Sequence, residues 1–387
     1  MITKTYELEL ITSCFCAGAE PKEQAEIRAP SIRGQLRWWF RALGGFKSLA
    51  ARGMGCREQE RLIFGSTAGE SGNGGRLAIR TRGSPPSRRT SGAELGADNI
   101  ASTPGYLLFP LRSQKDKKTG QRIQQYRGVI SVKGRFNIDV VWHGELSPFT
   151  RSDEAKESLT ALIATLGHLG GLGFRSRRGY GALSLVDPVV TLRDSRDMFA
   201  KPENLVIRTL GSFPASQVQN ELWKWLVLMR THGSTHHGTK NTKSPNWDLI
   251  RHDHDQGLIA GSHSEPDEKV VHRAALGLPI IQQFSQPSRA EVDWYPEYDQ
   301  RKVPMKKGYK GEGRFASPVL LRPHRDAKGN CHALVIFVDA HKWPDGKPVY
   351  LNGQARQVAM VTLPDGTRSP ALYEAMKNDK ALKPFTG

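Results

Sequence analysis

Three arginines at intervals of four residues, Arg33, Arg37 and Arg41, form the first pattern in this 387-residue chain that indicates a chemical role. In a helix this interval places the three guanidinium groups on one face, about 6 Å apart along the axis. Such cations repel one another unless anions lie between them, and the interval is close to the phosphate spacing of an extended single strand. No Asp or Glu occurs between Ile27 and Arg57 to pair with them. The pattern therefore predicts a phosphate-binding face, and an ordinary solvated basic face is the alternative.

The arginines require a helix, which the apolar residues around them predict over residues 32–43. In a helical projection the apolar side chains form one arc beside the arginine face: Ile32, Leu36, Trp39, Phe40 and Leu43. We expect Ser31 to cap the N-terminus and the glycine pair at 44–45 to end the helix. Trp38 falls outside both the apolar arc and the arginine face, so we expect its ring to stack on a base.

A second motif, HLGGLGFRSRRGYGAL at residues 168–183, joins a predicted helix to a predicted strand. Its glycines can adopt positive φ and let backbone amides approach a phosphate, while its arginines supply positive charge. Neither nucleotide fingerprint fits, because in those motifs the strand comes first and the helix follows. We expect the two motifs to border one groove.

The predicted RNA-binding residues come from these two motifs. They are Arg28, Arg33, Arg37, Trp38, Arg41, Gly170, Gly171, Gly173, Arg175, Ser176, Arg177, Arg178, Gly179 and Tyr180.

The net charge of the whole chain, +18, favours an anionic partner. Residues 1–193 contain 29 basic and 17 acidic residues, against 27 and 21 in residues 194–387. Of those 29 basic residues, 21 are arginine, whose planar fork suits phosphate better than the point charge of lysine. The composition therefore favours a nucleic acid over a diffuse anionic surface.

Composition also argues against other classes of protein. No apolar run approaches the ~20 residues of a membrane span, so we expect no membrane partner. The four cysteines are too few and too scattered for a disulfide framework, which fits a reducing cytoplasm. Cys14 and Cys16 lack a second pair at zinc-binding spacing, so structural thiols are favoured over a metal site.

Periodicity predicts an α+β fold in which the first domain has the βαββαβ order of a ferredoxin-like unit and the second is a further α+β domain, with long loop insertions. The elements predicted for the first domain, residues 1–195, are a strand at 4–12, a helix at 32–43, strands at 75–80 and 106–110, a β-rich stretch at 126–141, a helix at 152–169 and a strand at 180–189. Those predicted for the second domain, residues 196–387, are a helix at 216–230, a strand at 332–338 and a helix at 370–382. The expected long loops are 82–104, 231–267 and 285–314.

Two readings other than RNA binding remain open at this stage. A metal-independent endoribonuclease would need an acid and a base, and His168, Tyr180 and His143 are candidates. The histidines between 232 and 272 have spacings that suit a metal, but their Gly/Ser/Asn-rich segment offers little to fix the geometry of ligands. A basic adaptor held only by proteins is a third possibility. We expect no catalytic residue, no cofactor and no metal.

The two motifs together resemble the RAMP superfamily of CRISPR effectors, more narrowly the first RAMP subunit of type III-B (Cmr) complexes. The resemblance rests on RAPSIRGQLRWWFR at 28–41 and GGLGFRSRRGYG at 170–181. Two further segments look like second-domain motifs of that family, LGLPI at 276–280 and RFASPVLLRP at 314–323.

This resemblance implies two tandem ferredoxin-like (RRM-like, βαββαβ) domains and a place in a multi-subunit complex guided by crRNA. The endoribonuclease alternative would then be a standalone enzyme that matures guide RNA. The subunit would hold crRNA near its 3′ end and help to capture target RNA, beside other subunits of the complex. It also implies that guide pairing reads the sequence while this chain holds the RNA backbone, which agrees with the arginine bias. The aromatic signatures of ordinary RRM domains are missing, so base stacking on the sheet is not expected.

Overall fold

The computed structural model describes the chain in segments, which are 2–66, 73–99, 107–116, 118–230, 270–272, 276, 280–283, 291–295, 316–339, 349–351, 354–364, 366 and 368–385. The predicted loop 231–267, with its histidines, lies outside the described residues. So do most of the 276–280 motif and the first two residues of the 314–323 motif.

Helices of the described residues begin and end as follows. They are α1 (Ala29–Ala42), α2 (Lys47–Ala51), α3 (Cys56–Phe64), α4 (Ser152–Leu169), α5 (Leu192–Asp197), α6 (Val218–Arg230) and α7 (Ala371–Asn378), with 3₁₀ turns at Phe109–Leu111 and Pro202–Asn204.

Strands are numbered along the chain. They are β1 (Ile2–Leu10), β2 (Gly65–Ser66), β3 (Asn73–Gly74), β4 (Leu77–Arg82), β5 (Ser87–Ser91), β6 (Gln114–Lys115), β7 (Arg122–Ile123), β8 (Tyr126–Ile130), β9 (Arg135–Trp142), β10 (Leu183–Asp187), β11 (Leu205–Phe213), β12 (Val270–Val271), β13 (Ile280–Gln283), β14 (Glu291–Tyr295), β15 (Val319–Arg325), β16 (Cys331–Val338), β17 (Val349–Leu351), β18 (Gln354–Val358), β19 (Met360–Thr362), β20 (Arg368–Pro370) and β21 (Lys383–Pro384).

The first sheet has the strand order β10-β1-β9-β4, and every neighbouring pair is antiparallel. With α1 after β1 and α4 after β9, this is the order of the split βαβ unit expected from the sequence. Side chains alternate along β1, so Tyr6, Leu8 and Leu10 are buried while Glu7 points to the opposite face. Helix α4 packs on β1 and β10, and α1 packs on α4 and β4, which places both predicted motifs on the helical side of this sheet.

The structure differs from three sequence predictions in this half of the chain. Residues 107–111 contain no strand, because Phe109–Leu111 forms a 3₁₀ turn around Pro110, which lacks the N–H that a sheet ladder needs. The expected loop 82–104 contains β5, which pairs with β8 in register from Ser87 opposite Ile130. Sequence periodicity missed β5 because its polar residues show no apolar alternation. The closing strand begins at Leu183, since Tyr180 lies in a turn.

Elements predicted for the second half are confirmed where the structure describes them. Helix α6, strand β16 and helix α7 lie where the sequence placed a helix, a strand and a helix. A second four-stranded sheet has the order β15-β16-β11-β21, and a five-stranded sheet has the order β12-β18-β17-β14-β13.

By its contacts the chain divides into two compact units. One unit comprises residues 1–223, 320–336 and 383–387, and the other comprises 224–319 and 337–382. This division does not follow a single cut after residue 195, and the two domains 1–195 and 196–387 remain a prediction about the repeat. No helix among the described segments has the length and apolar character needed to cross a membrane.

Candidate nucleic-acid interface

Helix α1 carries the first motif and begins three residues earlier than the sequence predicted. Pro30 occupies the first turn, where its missing N–H costs nothing, and Arg28 is the N-cap with an extended backbone. The expected cap at Ser31 is wrong, because Ser31 lies inside the helix and its N–H donates to the Arg28 carbonyl. The predicted apolar arc is confirmed as the buried face, and Gly44 and Gly45 follow the helix with positive φ.

The arginine face of α1 is not free of internal partners, because α3 supplies an acid. Glu60, whose side chain is 10% exposed, pairs with Arg37 and lies 3.6 Å from the Nε of Arg41. Arg33 donates through Nη2 to the Phe64 carbonyl at 2.5 Å, which caps the last carbonyl of α3. The absence of acids between 27 and 57 was therefore a misleading signal, since Glu60 lies just beyond that window. Arg41 stays the most exposed of the three and the least tightly paired.

The glycine-rich loop, residues 170–181, is held against the chain that follows β1. Phe174 N donates to the Phe15 carbonyl at 3.1 Å, and Gly181 N donates to the Ser13 carbonyl at 2.8 Å. The Tyr180 ring is buried and lies 5.4 Å from the Phe15 ring, and burial raises the pKa of the Tyr180 hydroxyl. The loop is therefore fixed by the segment that follows β1 rather than by its own hydrogen bonds alone.

Two glycines of the loop are required by close backbone packing. Gly173 has φ +78, and a Cβ there would lie 2.7 Å from the Phe15 carbonyl oxygen. Gly181 has φ +60, and a Cβ there would overlap the Leu172 carbonyl oxygen. The sequence predicted that these glycines bring amides close to a phosphate, but the amides of Leu172 and Gly181 donate to backbone carbonyls within the chain. Glycine is needed here to let two segments of the chain approach each other.

Helix α1 and the glycine-rich loop meet at a cavity of about 210 Å³, as expected. Its lining residues are Gly34, Gln35, Trp38, Trp39, Arg41, Leu169, Gly170, Gly171, Ser176, Arg177, Leu320, Leu321 and Arg322. All of them belong to the first compact unit. The Arg177 guanidinium lies 5.0 Å from the Trp38 ring centroid, and Trp38 meets Trp39 edge to face at 4.7 Å. Trp38 is therefore held on one side by a cation–π contact with Arg177. Burial lowers the pKa of the Arg177 guanidinium.

Other predicted site residues do not line this cavity. Arg175 adopts φ +61 and its guanidinium lies 5.2 Å from the Phe174 ring, while Arg178 forms a backbone bridge to Leu321. The full set outside the lining is Arg28, Arg33, Arg37, Gly173, Arg175, Arg178, Gly179 and Tyr180.

Among the described lining residues, Arg322 on β15 is the cation that sequence reasoning did not assign to the site. Arg322 is 2% exposed. It donates to two carbonyls at the end of helix α4, those of Gly167 at 2.8 Å and His168 at 3.0 Å. A third donation reaches the Leu183 carbonyl at 2.6 Å. Burial lowers the pKa of Arg322 to about 9. The sequence did contain a pattern that could have identified Arg322: a single arginine among apolar residues in VLLRP at 319–323. Such a pattern indicates a buried cation that binds specific partners.

His168, the candidate acid or base, is engaged at both ring nitrogens. Its Nδ1 lies 3.1 Å from Nε2 of His324, and its Nε2 lies 2.7 Å from the Val190 carbonyl oxygen. Burial lowers the pKa of His168 and, with the charge of its neighbours, lowers that of His324 to about 2. The pair is therefore a neutral, buried hydrogen-bonded unit at neutral pH.

The cysteine pair is also buried. Sγ of Cys14 lies 2.9 Å from Sγ of Cys16, and this contact raises the pKa of the Cys14 thiol. Within the described part of the chain, no group of three or more His, Cys, Asp or Glu side chains is placed to hold a metal.

The face of the first sheet that points away from the helices carries ion pairs. Arg135 donates to Glu9 at 2.9 Å, Arg325 donates to the same carboxylate at 2.7 Å, and Arg82 pairs with Asp139 at 2.5 Å. Such cross-strand pairs neutralise one another on the surface where an ordinary RRM domain stacks bases. The cavity lined by arginines lies on the other side of this sheet, where α1 packs on α4 and β4.

Comparison with known proteins identifies the class. The model of the RAMP superfamily matches residues 7–184. Two relatives from Pyrococcus furiosus were found by sequence: Cmr subunit Cmr1-2, 31% identical over 197 residues that cover 48% of this chain and 96% of the relative, and Cmr subunit Cmr1-1, 33% identical over 189 residues that cover 48% of each. The chain therefore belongs to the RAMP superfamily.

More narrowly, the chain is homologous to the Cmr1 subunits of CRISPR systems. The match spans about half the length of Cmr1-1. Among solved structures, apo Cmr1 from Pyrococcus furiosus is similar with a TM-score of 0.42 and 18% identity, covering 87% of this chain and 88% of that one. A chain of the type III-B Cmr-beta complex bound to cognate target RNA and AMPPnP has a TM-score of 0.40 and 10% identity, covering 86% and 93%.

Proposed function

We propose that this chain is a non-catalytic RNA-binding subunit of a type III-B CRISPR ribonucleoprotein, which holds crRNA near its 3′ end and helps to capture target RNA. The observation that carries the proposal is the cavity where α1 and the glycine-rich loop meet. Three arginines line it, Arg41, Arg177 and Arg322, and none of the described lining residues is Asp or Glu. A concave site of this composition attracts phosphate.

The contacts on offer suit the RNA backbone rather than the base sequence. Guanidinium groups that bind phosphates fix the position of the RNA but do not read its bases. In such a complex the bases would be read by pairing with the guide RNA. Trp38 is the one aromatic side chain of the cavity that is partly exposed, and it supplies a single stacking surface for a neighbouring base. Partners of this subunit are then the crRNA, the target RNA and other subunits of the complex.

The state of His168 supports a non-catalytic role. An acid or base must reach a reacting proton, and the two ring nitrogens of His168 are occupied by His324 and Val190. Tyr180, the second candidate, is 7% exposed and its hydroxyl is hard to ionise. His168 and Tyr180 are therefore not available as a general base for the endoribonuclease alternative, and His143, the third candidate, is exposed but is not among the residues that line the cavity.

Two tandem ferredoxin-like domains form part of the same proposal. The strands β11, β15, β16 and β21 occur in that order along the chain. In the sheet, β21 lies beside β11, and β16 lies between β11 and β15. That is the arrangement of the first sheet as well. With α6 after β11 and α7 after β16, the second half repeats the strand and helix order of the first.

A matched pair of arginine variants tests the proposed RNA face. Arg41 lines the cavity, is 56% exposed and lies 3.6 Å from Glu60, whereas Arg193 on α5 is 80% exposed and lies 4.0 Å from Asp197. The variants Arg41→Gln and Arg193→Gln each remove one exposed cation from a helix. For Arg41→Gln we expect affinity for single-stranded RNA to fall about fivefold at 0.1 M salt, and the slope of log K against log salt to flatten by about 0.7.

The loss should be equal for RNAs of unrelated sequence, because a phosphate contact is removed. Arg193→Gln should leave both affinity and slope close to those of the unaltered chain. Equal effects of the two substitutions would show that only net charge matters, and the cavity would then have no special role in RNA binding.

A further inference from the structure

Arg322 is a buried cation whose hydrogen-bond partners are all uncharged. It donates from Nε and Nη2 to three backbone carbonyls, and its Nη1 has no hydrogen-bond partner among the residues that the structure describes. The carbonyls at the end of α4 supply only the partial negative charge of a helix C-terminus. A buried guanidinium that lacks a full counter-charge is costly to maintain, so it normally occurs beside an anion.

A second unused donor lies in the same cavity wall. The Trp39 indole is 1% exposed, and no residue in the described part of the chain accepts a hydrogen bond from its Nε1. Gly170 lies against it, since a Cβ at Gly170 would come within 3.0 Å of Nε1. Buried donors of this kind are rare in folded proteins, and two in one cavity wall indicate an acceptor-rich ligand.

The cavity is large enough for such a ligand. Its volume of about 210 Å³ is several times the ~30 Å³ that one water occupies. The remaining polar side chains of the lining are Gln35, Arg41, Ser176, Arg177 and Trp38, so each charged side chain of the described lining is a cation.

We infer that this cavity is a built phosphate site, in which Arg322 and Arg177 provide the charge for one phosphate group of the RNA and the buried indole N–H of Trp39 adds a donor. The inference rests on the proposed function, which it deepens: the RNA backbone enters the cavity at one phosphate rather than only crossing the basic surface. Inorganic phosphate carries the same chemistry and serves as the probe.

The first experiment measures thermal unfolding of the full chain with millimolar phosphate, against chloride at equal ionic strength. We expect phosphate to raise the midpoint by roughly 2–4 °C more than chloride does. In Ser176→Asp a carboxylate enters the cavity lining and acts as the counter-charge, so the phosphate-specific rise should disappear. Ser176→Asn adds the same bulk without charge, so it should reduce the phosphate-specific rise less than Ser176→Asp does. Ser131→Asp, at an exposed turn outside the lining, controls for the change in net charge.

The second experiment asks whether the phosphate belongs to RNA. Phosphate should compete with single-stranded RNA for the unaltered chain, and Ser176→Asp should bind RNA about tenfold more weakly than Ser131→Asp. A phosphate-specific rise without competition would indicate a site for a free anion, and an equal rise in Ser176→Asp would indicate an adventitious ion only. Either result, or no rise at all, overturns the inference. Should Arg41→Gln still weaken RNA binding in that case, the proposed function would stand without this site.

Discussion

Gly181→Ala is expected to lower the free energy of unfolding by about 3 kcal/mol or more. Gly181 has φ +60, where an L side chain is strained, and the added Cβ would overlap the backbone oxygen of Leu172. Backbone cannot yield as a flexible side chain does, so the loop must move away from Ser13, which accepts the Gly181 N–H. Because the same loop carries Ser176 and Arg177 into the cavity, RNA affinity should fall together with stability.

Gly34→Ala is the matched control for this substitution. Gly34 lies inside α1, also lines the cavity, and an added Cβ there would meet nothing within 4 Å. Alanine in a helix interior is favoured over glycine, so this variant should gain about 0.5–1 kcal/mol. Chemical denaturation of the two variants measures the difference. If both lost stability equally, the close packing of the glycine-rich loop would not be the reason for its glycines.

Arg322→Met is expected to lower the free energy of unfolding by about 3–5 kcal/mol. Methionine retains much of the apolar contact but leaves the carbonyls of Gly167, His168 and Leu183 without the donors they have now. Two of these carbonyls end helix α4, whose last turn has no other intrahelical donors to use. The end of the helix should therefore loosen, and the cavity wall with it.

Arg325→Met on the same strand provides the comparison. The Arg325 side chain is 30% exposed and bonds Glu9 at 2.7 Å, while Glu9 also accepts from Arg135. Losing one of two partners in a partly exposed pair should cost about 1 kcal/mol or less. Urea unfolding of both variants would decide the matter. A cost for Arg322→Met no larger than that for Arg325→Met would mean that Arg322 does not hold the end of α4.

Much of the fold on the helical side of the first sheet was predictable from periodicity. The apolar arc of α1 and the stripe along α4 have the spacing of helices that bury one face, and both were found buried. The alternation along β1 and β9 likewise predicted the strands that form the centre of the sheet. Strand β5 was missed because its residues are polar and its pairing with β8 depends on a partner distant in sequence.

The site was predictable only in part, for a related reason. The meeting of α1 with the glycine-rich loop followed from the motifs, whereas the pairing of Glu60 with Arg37 and Arg41 depends on how α3 packs against α1. Arg322 lies about 150 residues beyond the end of α4, whose carbonyls it contacts. Nothing local in the sequence shows which carbonyls it reaches, and only the folded arrangement reveals that one of its donors is unused.

The central claim is that RNA lies at the cavity between α1 and the glycine-rich loop. Ultraviolet cross-linking of single-stranded RNA to the full chain, followed by mass spectrometry of the linked peptides, tests it most directly. We predict cross-links at Trp38 and within residues 170–181, both lost when Arg41→Gln and Ser176→Asp are combined. Cross-links found only elsewhere, for example on the outer face of β1 and β9, would contradict the claim.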